Sequence, residues 1–246
     1  MHRFFVDMPD APADEIVLGG ENAAHMERVL RMRAGERFAA CDGRGTDYIC
    51  QLTRFADKHA YGEIVATEAN LAEPPAPVVL FQGLPKADKM ELIIQKAVEL
   101  GATKIVPVAM ERSVVRLSGK EAAKAARWQK IAEAAAKQSG RGVIPEVALP
   151  VTLAQSMTKA KELGCCAAAY ENERTQSLKE FLTANAQVGQ NQGFGVYIGP
   201  EGGFEPSEIE MLAEAGVAAV SLGRRILRTE TAGLAALAAV GFEWAI

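Results

Sequence analysis

The sequence predicts an α/β fold in which a domain built on a parallel sheet follows a small, β-rich domain. From residue 78 onward, short apolar runs alternate with segments of helical periodicity, which is typical of a parallel sheet covered by helices on both faces. Before residue 71, short strand-like segments are separated by glycine-containing turns, which is typical of a small barrel. Residues 71–77 carry three prolines in four residues and indicate a stiff linker, so we expect domains at residues 1–72 and 73–246.

The first domain is expected to contain a hairpin, a further strand and one short helix. Residues 38–45 and 48–53 form two strand-like runs joined by a glycine-containing turn, and residues 61–67 form another strand. Helical periodicity over residues 23–33 predicts a helix. Asn22 stands where a capping residue would stand, and Gly35 lies beyond the predicted end.

The second domain shows strand-like runs that are each followed by a helical segment. Strands are predicted at residues 78–81, 104–108, 165–170, 195–198 and 217–222, and helices at residues 87–100, 119–139, 178–186, 206–215 and 231–244. Two of these helices have clear end signals, because Gly101 follows the first, Pro206 lies near the start of the fourth and Gly216 follows it. This order of elements predicts a parallel sheet.

The distribution of charge permits a nucleic-acid partner, although the net charge is −4. Residues 86–141 contain 12 Lys and Arg against 6 Asp and Glu, whereas the remainder contains 15 against 25. A basic face on an acidic protein is compatible with local phosphate contacts. A solvated helix face of mixed charge would give the same counts, so both interpretations stay open.

Several classes of protein receive no support from the sequence. No run of roughly 18 apolar residues exists, so we expect no membrane span, and the N-terminus does not resemble a signal peptide. The cysteines and histidines lack the spacing of metal ligands, so no metal site is expected, and free thiols indicate a reducing cytoplasm. Motifs of the GxxxxGK[ST], GxGxxG and GxSxG types are missing, which disfavours a P-loop, a nicotinamide-dependent oxidoreductase and a serine hydrolase.

Two segments near the C-terminus are the best candidates for a ligand site. Residues 197–204 read YIGPEGGF and residues 222–232 read LGRRILRTETA, and each lies between a predicted strand and a predicted helix. Open α/β sheets bind ligands at the carboxyl ends of their strands, and glycine lets backbone approach a ligand closely. Backbone amides and carbonyls beside apolar side chains suit an adenine ring and a ribose. Without a ligand, Gly202-Gly203 could be an ordinary tight turn, and Arg225 and Arg228 could pair with Glu201 or Glu230.

These same two segments resemble the RsmE family of 16S ribosomal RNA methyltransferases. That family belongs to the SPOUT superfamily, whose α/β domains carry a trefoil knot. The resemblance covers nearly the whole chain, because residues 2–5, 24–25 and 29–31 are similar to the family's small N-terminal PUA-like β-barrel, and residues 86–116 and 127–141 are similar to its first βα unit. The chain departs from the pattern at Glu205, where Ser or Thr is expected as a helix cap.

The resemblance implies methylation of N3 of a specific uridine in 16S ribosomal RNA, with S-adenosylmethionine as methyl donor. The residues implied for cofactor binding are Ile198, Gly199, Pro200, Glu201, Gly202, Gly203, Ser221, Leu222, Gly223, Arg225, Ile226, Leu227, Arg228, Thr231 and Ala232, with a third loop around Tyr170 and Glu171. We expect Arg228 and Glu201 to be catalytic. Arg228, with Arg225 as a second candidate, would stabilise charge on the base, and Glu201 would accept its proton, with Glu230, Glu171 or water as alternatives.

The resemblance also implies partners. Contacts with 16S ribosomal RNA, within the small ribosomal subunit, are expected from Arg3, Arg28, Arg31, Lys86, Lys89, Arg112, Gln138 and Arg141. A homodimer is expected as well, with the last helix contributing its face of Leu234, Leu237, Val240 and Trp244. A helix buried in the core of a monomer would show the same periodicity, so this pattern alone does not decide the oligomeric state.

Two alternatives keep the scaffold and change the activity. One is a non-catalytic RNA-binding or ribosome-assembly factor, which affinity for S-adenosylmethionine would distinguish from an enzyme. The other is methylation of another ribosomal RNA base or of a ribose 2′-hydroxyl, because the acceptor depends on how the RNA is presented.

Overall fold

The computed structural model describes residues 1–6, 14–114, 117, 119 and 121–244. The chain forms two compact units. The first comprises residues 1–73 together with residues 136–144, and the second comprises residues 74–135 and 145–246. The proline-rich segment thus lies where the first unit gives way to the second. A stretch from the middle of the chain also belongs to the first unit.

The first unit is built on a five-stranded sheet. Its strands are β1 (His2–Phe5), β2 (Glu15–Leu18), β3 (Arg37–Cys41), β4 (Thr46–Ala56) and β5 (His59–Ala69). The order across the sheet is β1-β3-β4-β5-β2, and all pairs are antiparallel except β1 with β3. Within the described residues the two outer strands, β1 and β2, share no ladder. The strand-rich first domain expected from the sequence is confirmed.

The helix predicted over residues 23–33 is wrong in its bounds and its type. The chain forms a short α-helix, α1 (Gly20–Ala24), followed by a π-helical turn (His25–Val29). Asn22 lies inside α1 and does not cap it, because its side-chain amide donates to the carbonyl of Phe5 at 3.1 Å. The next turn cannot continue as a helix, since Arg31 adopts a left-handed φ of 52°.

The contacts that join residues 136–144 to the rest of the first unit include an ion pair and the side-chain amide of Asn70. The guanidinium of Arg141, only 3% exposed, donates to the Glu73 carboxylate at 2.5 and 2.9 Å. The same carboxylate accepts the backbone N–H groups of Gly142 and Val143, and Asn70 donates to the carbonyl of Gly140 at 3.1 Å. These bonds lower the pKa of Glu73 although burial alone would raise it.

The second unit is built on a seven-stranded sheet. Its strands are β6 (Val78–Gly83), β7 (Lys104–Ala109), β8 (Glu146–Val147), β9 (Val151–Thr152), β10 (Cys165–Ala169), β11 (Phe194–Ile198) and β12 (Val217–Val220). The order is β12-β10-β11-β6-β7-β8, with β9 also paired to β7, and every pair is parallel. The predicted parallel sheet is confirmed. Its central strands are buried along their whole length, as expected when helices cover both faces.

The helices of the second unit follow the predicted alternation. They are α2 (Lys89–Glu99), α3 (Glu121–Ser139), α4 (Leu153–Ala160), α5 (Leu178–Ala184), α6 (Ala186–Gln192), α7 (Pro206–Glu214) and α8 (Thr229–Trp244), where residues 136–139 of α3 are counted with the first unit. The sequence analysis missed α4, although Thr152 caps it and accepts the N–H of Gln155 at 3.3 Å. It also missed the short strands β8 and β9, because two residues carry no periodicity.

The last helix, α8, belongs to the chain's own core. Leu237, Val240 and Trp244 are 1–4% exposed. The Trp244 indole N–H donates to the Leu182 carbonyl at 3.1 Å, and its ring meets that of Phe194 edge-on at 5.5 Å. The periodicity that fitted a dimer interface therefore describes packing within one chain.

Two broad expectations can be compared with these coordinates. In the described part of the chain, no helix is both long enough and apolar enough to cross a membrane. The trefoil knot stays a prediction here, because strand order and register do not define how the chain passes through its own loops.

Candidate active site at the carboxyl ends of three strands

The strands β10, β11 and β12 lie side by side in the sheet and end at the same edge, as parallel strands must. The loops that follow them surround a cavity of about 380 Å³, a size typical of pockets for small molecules. The residues lining it are Ala169, Tyr170, Glu171, Arg174, Ile198, Gly199, Pro200, Glu201, Gly202, Gly203, Phe204, Ser221, Leu222, Gly223, Arg224, Arg225, Ile226, Leu227, Arg228, Thr229 and Ala232. The structure thus brings together the two segments that the sequence analysis selected.

All residues predicted to bind the cofactor line this cavity except Thr231, which is exposed on α8. Tyr170 and Glu171 supply the expected third loop. The sequence analysis did not nominate Arg174, Arg224 or Thr229. Arg224 and Thr229 lie within the segment of residues 222–232, next to nominated positions, so the sequence could have indicated them. Arg174 lies in neither segment, and no motif marks it.

Two glycines of the loop after β11 have little space for a side chain. A Cβ on Gly203, whose φ is +70°, would come within 2.4 Å of a carboxylate oxygen of Glu171. A Cβ on Gly199 would meet the backbone of Gly203 at 3.1 Å. The loop is therefore folded tightly on itself and against the loop after β10, which is the close backbone approach that the glycines predicted.

Lys89, which does not line the cavity, binds the carboxylates of Glu201, which does, and of Glu230. The Lys89 ammonium lies 3.1 Å from Glu201 Oε1 and 3.0 Å from Glu230 Oε2. The Glu201 carboxylate also accepts the backbone N–H of Lys86 at 3.1 Å. The described ion pairs of both carboxylates are with Lys89, not with Arg225 or Arg228 as one sequence interpretation proposed.

These contacts keep both carboxylates ionised. Burial alone would raise the pKa of Glu201, but hydrogen bonds from backbone N–H groups and from Lys89 outweigh it, so the pKa is lowered. For Glu230, the hydrogen bond from its own backbone N–H is the largest cause of a lowered pKa, and Lys89 and Arg228 add to it. A carboxylate with a lowered pKa is a weak base, which limits what Glu201 can do as a proton acceptor.

Arg112 and Glu205 brace the loop from the other side. The Arg112 guanidinium donates to the Gly202 carbonyl at 2.9 Å and to the Glu205 carboxylate at 2.7 Å. Glu205, where Ser or Thr was expected, thus binds Arg112. The buried Glu208 accepts the backbone N–H groups of Glu205 at 2.9 Å and Glu111 at 2.8 Å, so the start of α7 is capped from within the helix.

The predicted RNA contacts fall into two groups. Arg28, Arg31, Lys86 and Gln138 are exposed. Carboxylates of the chain bind the other four. Arg3 pairs with Asp47, Lys89 with Glu201 and Glu230, Arg112 with Glu205, and Arg141 with Glu73. Arg141 in particular is buried, so we remove it from the expected RNA surface.

Known protein families match most of the chain. Residues 72–241 match the model of an RNA methyltransferase domain, and residues 18–65 match that of an RNA methyltransferase PUA domain. A ribosomal RNA small subunit methyltransferase E from Bacillus subtilis is 36% identical over 99% of this chain and 97% of its own. The chain belongs to the ribosomal RNA small subunit methyltransferase E family.

Other members of the RsmE family agree with this assignment. The one from Synechocystis is 35% identical over 88% of this chain and 69% of its own. A crystal structure of the Neisseria gonorrhoeae enzyme bound to S-adenosyl methionine superimposes with a TM-score of 0.86 at 33% identity, covering 99% and 98% of the two chains. The resemblance stated from the sequence is confirmed, and the chain is an RNA methyltransferase.

Proposed function

We propose that this chain transfers the methyl group of S-adenosylmethionine to N3 of a specific uridine in the 16S ribosomal RNA of the small subunit. The observation that carries the proposal is the cavity lined by residues 198–204 and 221–229. It lies at the carboxyl ends of parallel strands, in a chain whose relative from Neisseria gonorrhoeae was crystallised with this cofactor.

The lining of the cavity fits the cofactor. Apolar side chains such as Ile198 and Leu227 lie beside the backbone amides and carbonyls of the glycine-rich loops. Such a surface suits an adenine ring and a ribose, and the arginines and glutamates at the rim suit a charged amino acid moiety. When bound, S-adenosylmethionine supplies a methyl group on a sulfonium, an electrophile that is already activated.

The residues of the chain then have to orient the target and accommodate its charge. Uridine N3 carries a weakly acidic proton, and losing it places negative charge on the base. We assign the stabilisation of that charge to Arg228, which lines the cavity and is exposed. Glu201 is the proposed proton acceptor. Its lowered pKa makes it a weak one, so we expect its loss to cost less than that of Arg228.

The target base has to leave its stack to reach the cavity. N3 of a paired uridine faces its partner base, so methylation there needs a flipped or unpaired nucleotide. In-line alignment with the S–CH3 bond is then the main source of rate enhancement.

Mass spectrometry of nucleosides tests this function. Ribosomal RNA from a deletion strain should lack one N3-methyluridine, and restoring the gene should restore it. Purified chain with small subunits and labelled cofactor should form the same nucleoside. A different methylated base or a 2′-O-methyl ribose would replace the proposed acceptor. No heat with S-adenosylmethionine in calorimetry and no methylation would favour the assembly-factor alternative.

We further propose that residues 1–72 are an RNA-binding domain, that residues 73–246 are the methyltransferase domain, and that both act in the cytoplasm. Arg28 and Arg31 are exposed in the first unit, and we assign them to contacts with RNA phosphates. Lys86 and Gln138 remain candidates on the same grounds of exposure.

Replacing Arg28 and Arg31 together with alanine should weaken RNA binding and its dependence on salt. Each lost phosphate contact lowers the slope of log affinity against log salt by about 0.7–0.9, so the pair should lower it by about 1.5. Filter binding at several salt concentrations measures this slope. Arg54→Ala is the matched control, because Arg54 is bonded to Glu15 and stacked on Tyr61. Equal slopes for the double variant and wild type would remove this surface.

A homodimer is also proposed, through a different face of α8 from the one predicted. Thr231, Ala235, Ala238 and Phe242 are all exposed, and their spacing places them on one side of the helix. Phe242 is 89% exposed, and α2, which packs against α8, exposes 46% of Leu92. An apolar stripe of this kind is unusual on a surface that faces only water.

Phe242→Glu should therefore weaken self-association by about 30-fold or more, as expected for an aromatic residue central to an interface. Light scattering behind size-exclusion chromatography, over a range of concentrations, gives the dissociation constant. Met211→Glu, which changes an exposed residue of α7, is the control. A monomeric wild-type chain at all concentrations would contradict the proposed dimer.

The knot remains a proposal that one contact supports. Strand β12 lies at the end of the sheet order, yet α8 begins at Thr229, whose hydroxyl donates to Gly199 at the end of the central strand β11. The chain thus returns from the edge of the sheet to its middle before the last helix starts.

A further inference from the structure

A buried amide that does not line the cavity is hydrogen-bonded to a residue that does. Gln82, near the end of the central strand β6, is 0% exposed. Its Nε2 donates to the Thr229 hydroxyl at 2.9 Å and to the Gly83 carbonyl at 3.0 Å. The Thr229 hydroxyl in turn donates to the Gly199 carbonyl at 2.7 Å. Gln82 therefore reaches the loop after β11 through a single intermediate, Thr229.

Burying the Gln82 amide costs free energy, which indicates that the bonds made by its Nε2 serve a function beyond packing. Within the described residues its buried Oε1 has no hydrogen-bond partner, which makes a glutamine more costly here than an apolar residue of similar size. Flipping the amide would not remove the cost, because Oε1 would then face the Gly83 carbonyl, which is also an acceptor. A core position with no role beyond packing would be better filled by leucine or methionine.

The orientation of the Gly199 carbonyl affects the conformation of the loop that lines the cavity. Gly199 is followed by Pro200, whose ring restricts its φ. The orientation of the peptide between these two residues therefore sets the direction of the turn that follows. In this turn the Gly203 N–H donates to the Pro200 carbonyl at 3.0 Å. Thr229 is also the residue after Arg228 and the first of α8. One hydroxyl thus fixes both the loop after β11 and the end of the loop after β12.

The connection between β6 and α2 makes further contacts with the same loop. A Cβ on Gly83 would lie 2.6 Å from the Pro200 nitrogen, so the two backbones touch. Lys86 and Lys89 hold the Glu201 carboxylate, as described above. Gly83, Lys86 and Lys89 do not line the cavity, yet each contacts Pro200 or Glu201, which do.

We propose that Gln82 is a positioning residue for methyl transfer. Acting through the Thr229 hydroxyl, it fixes the Gly199 carbonyl and thereby holds residues 199–203 and Arg228 in the arrangement that in-line transfer requires. This inference rests on the proposed function. Displacements of about 1 Å in such an arrangement lower rates by about 100-fold, so a residue that touches no reactant can have a large effect.

Isosteric variants test the proposal. Thr229→Val removes the hydroxyl and keeps the shape, Thr229→Ser keeps the hydroxyl, and Gln82→Met removes both Nε2 bonds at similar volume. We expect kcat to fall about 10-fold to 100-fold in Thr229→Val and Gln82→Met. Thr229→Ser should stay within about 3-fold of wild type, and the double variant should be no worse than the more impaired single one, because both residues act on one carbonyl. All assays are run below the melting temperature of each variant.

A second readout needs no cofactor. In the ligand-free protein, the Gly203 amide should exchange its hydrogen faster in Gln82→Met and Thr229→Val than in wild type, and at the wild-type rate in Thr229→Ser. Wild-type kcat and unchanged exchange in Gln82→Met would overturn the proposal, and so would additive losses in the double variant. Assays of the wild-type chain distinguish a failure of this inference from a failure of the proposed function. If it neither binds S-adenosylhomocysteine nor methylates RNA, the function fails, and if it does both while the variants match it, only the inference fails.

Discussion

Replacing Arg228 with alanine is expected to lower kcat for RNA methylation by about 100-fold to 1,000-fold while leaving the affinity for S-adenosylmethionine within a few fold. The reason is that Arg228 is assigned to charge that develops on the base only as the proton leaves, and removing one such donor typically costs this much. Calorimetry with S-adenosylhomocysteine and single-turnover methylation of small subunits measure the two effects separately.

Two further variants make the Arg228 result specific. Arg228→Lys keeps the charge but loses the planar group of donors, so it should recover only part of the rate. Arg127→Ala removes an exposed cation of the same unit that is paired with Glu91, and kcat should stay within about 2-fold of wild type. Unchanged turnover in Arg228→Ala would remove this residue from the chemistry, and a parallel loss of cofactor affinity would make it a binding residue only.

Replacing Trp244 with alanine should give the largest loss of stability. Trp244 is 4% exposed, and its ring fills the space between α8, α6 and Phe194. Truncating a buried tryptophan costs about 3–5 kcal/mol, because apolar contacts are lost and a cavity remains. In a chain of this length, thermal unfolding of the second unit should shift down by about 6 °C or more. Calorimetry at a fixed protein concentration measures this shift.

A pair of glycine variants checks the same packing independently. Gly189→Ala would place a Cβ against the Trp244 ring, which leaves no room for it, whereas a Cβ on Gly233 of α8 would make ordinary contacts of 3.4–3.6 Å. Both glycines lie in helices, where alanine alone would stabilise by about 1 kcal/mol. Gly189→Ala should therefore destabilise while Gly233→Ala should not. Equal effects at the two positions would show that Trp244 is not tightly packed.

The parallel sheet and the position of the site were predictable because both depend on local patterns. Strands such as β6 and β11 are continuous apolar runs, and the glycine-bearing segments after β11 and β12 mark the carboxyl ends of neighbouring strands. Parallel topology alone then brings the segments together. The RsmE resemblance added the identity of the ligand and substrate, which no periodicity could supply.

The contacts that support the site were not predictable from local patterns. Lys89 was expected to bind RNA, but it holds Glu201 and Glu230, which lie far away in the sequence. Gln82 lies just beyond the strand predicted at residues 78–81, in the connection to the next helix, and no motif marked it. The type of a side chain indicates that it needs a partner, whereas the partner is set by tertiary packing.

The course of residues 136–144 has a practical consequence for dissecting the protein. A fragment ending at the proline-rich segment would contain Glu73 but not Arg141, Gly142 or Val143, so its carboxylate would lose the guanidinium and both backbone N–H groups that it binds. A single cut therefore cannot yield an intact first unit. Grafting this unit onto another enzyme would require transplanting two separate stretches of chain, and loss of RNA binding after simple truncation would report misfolding as much as a missing contact surface.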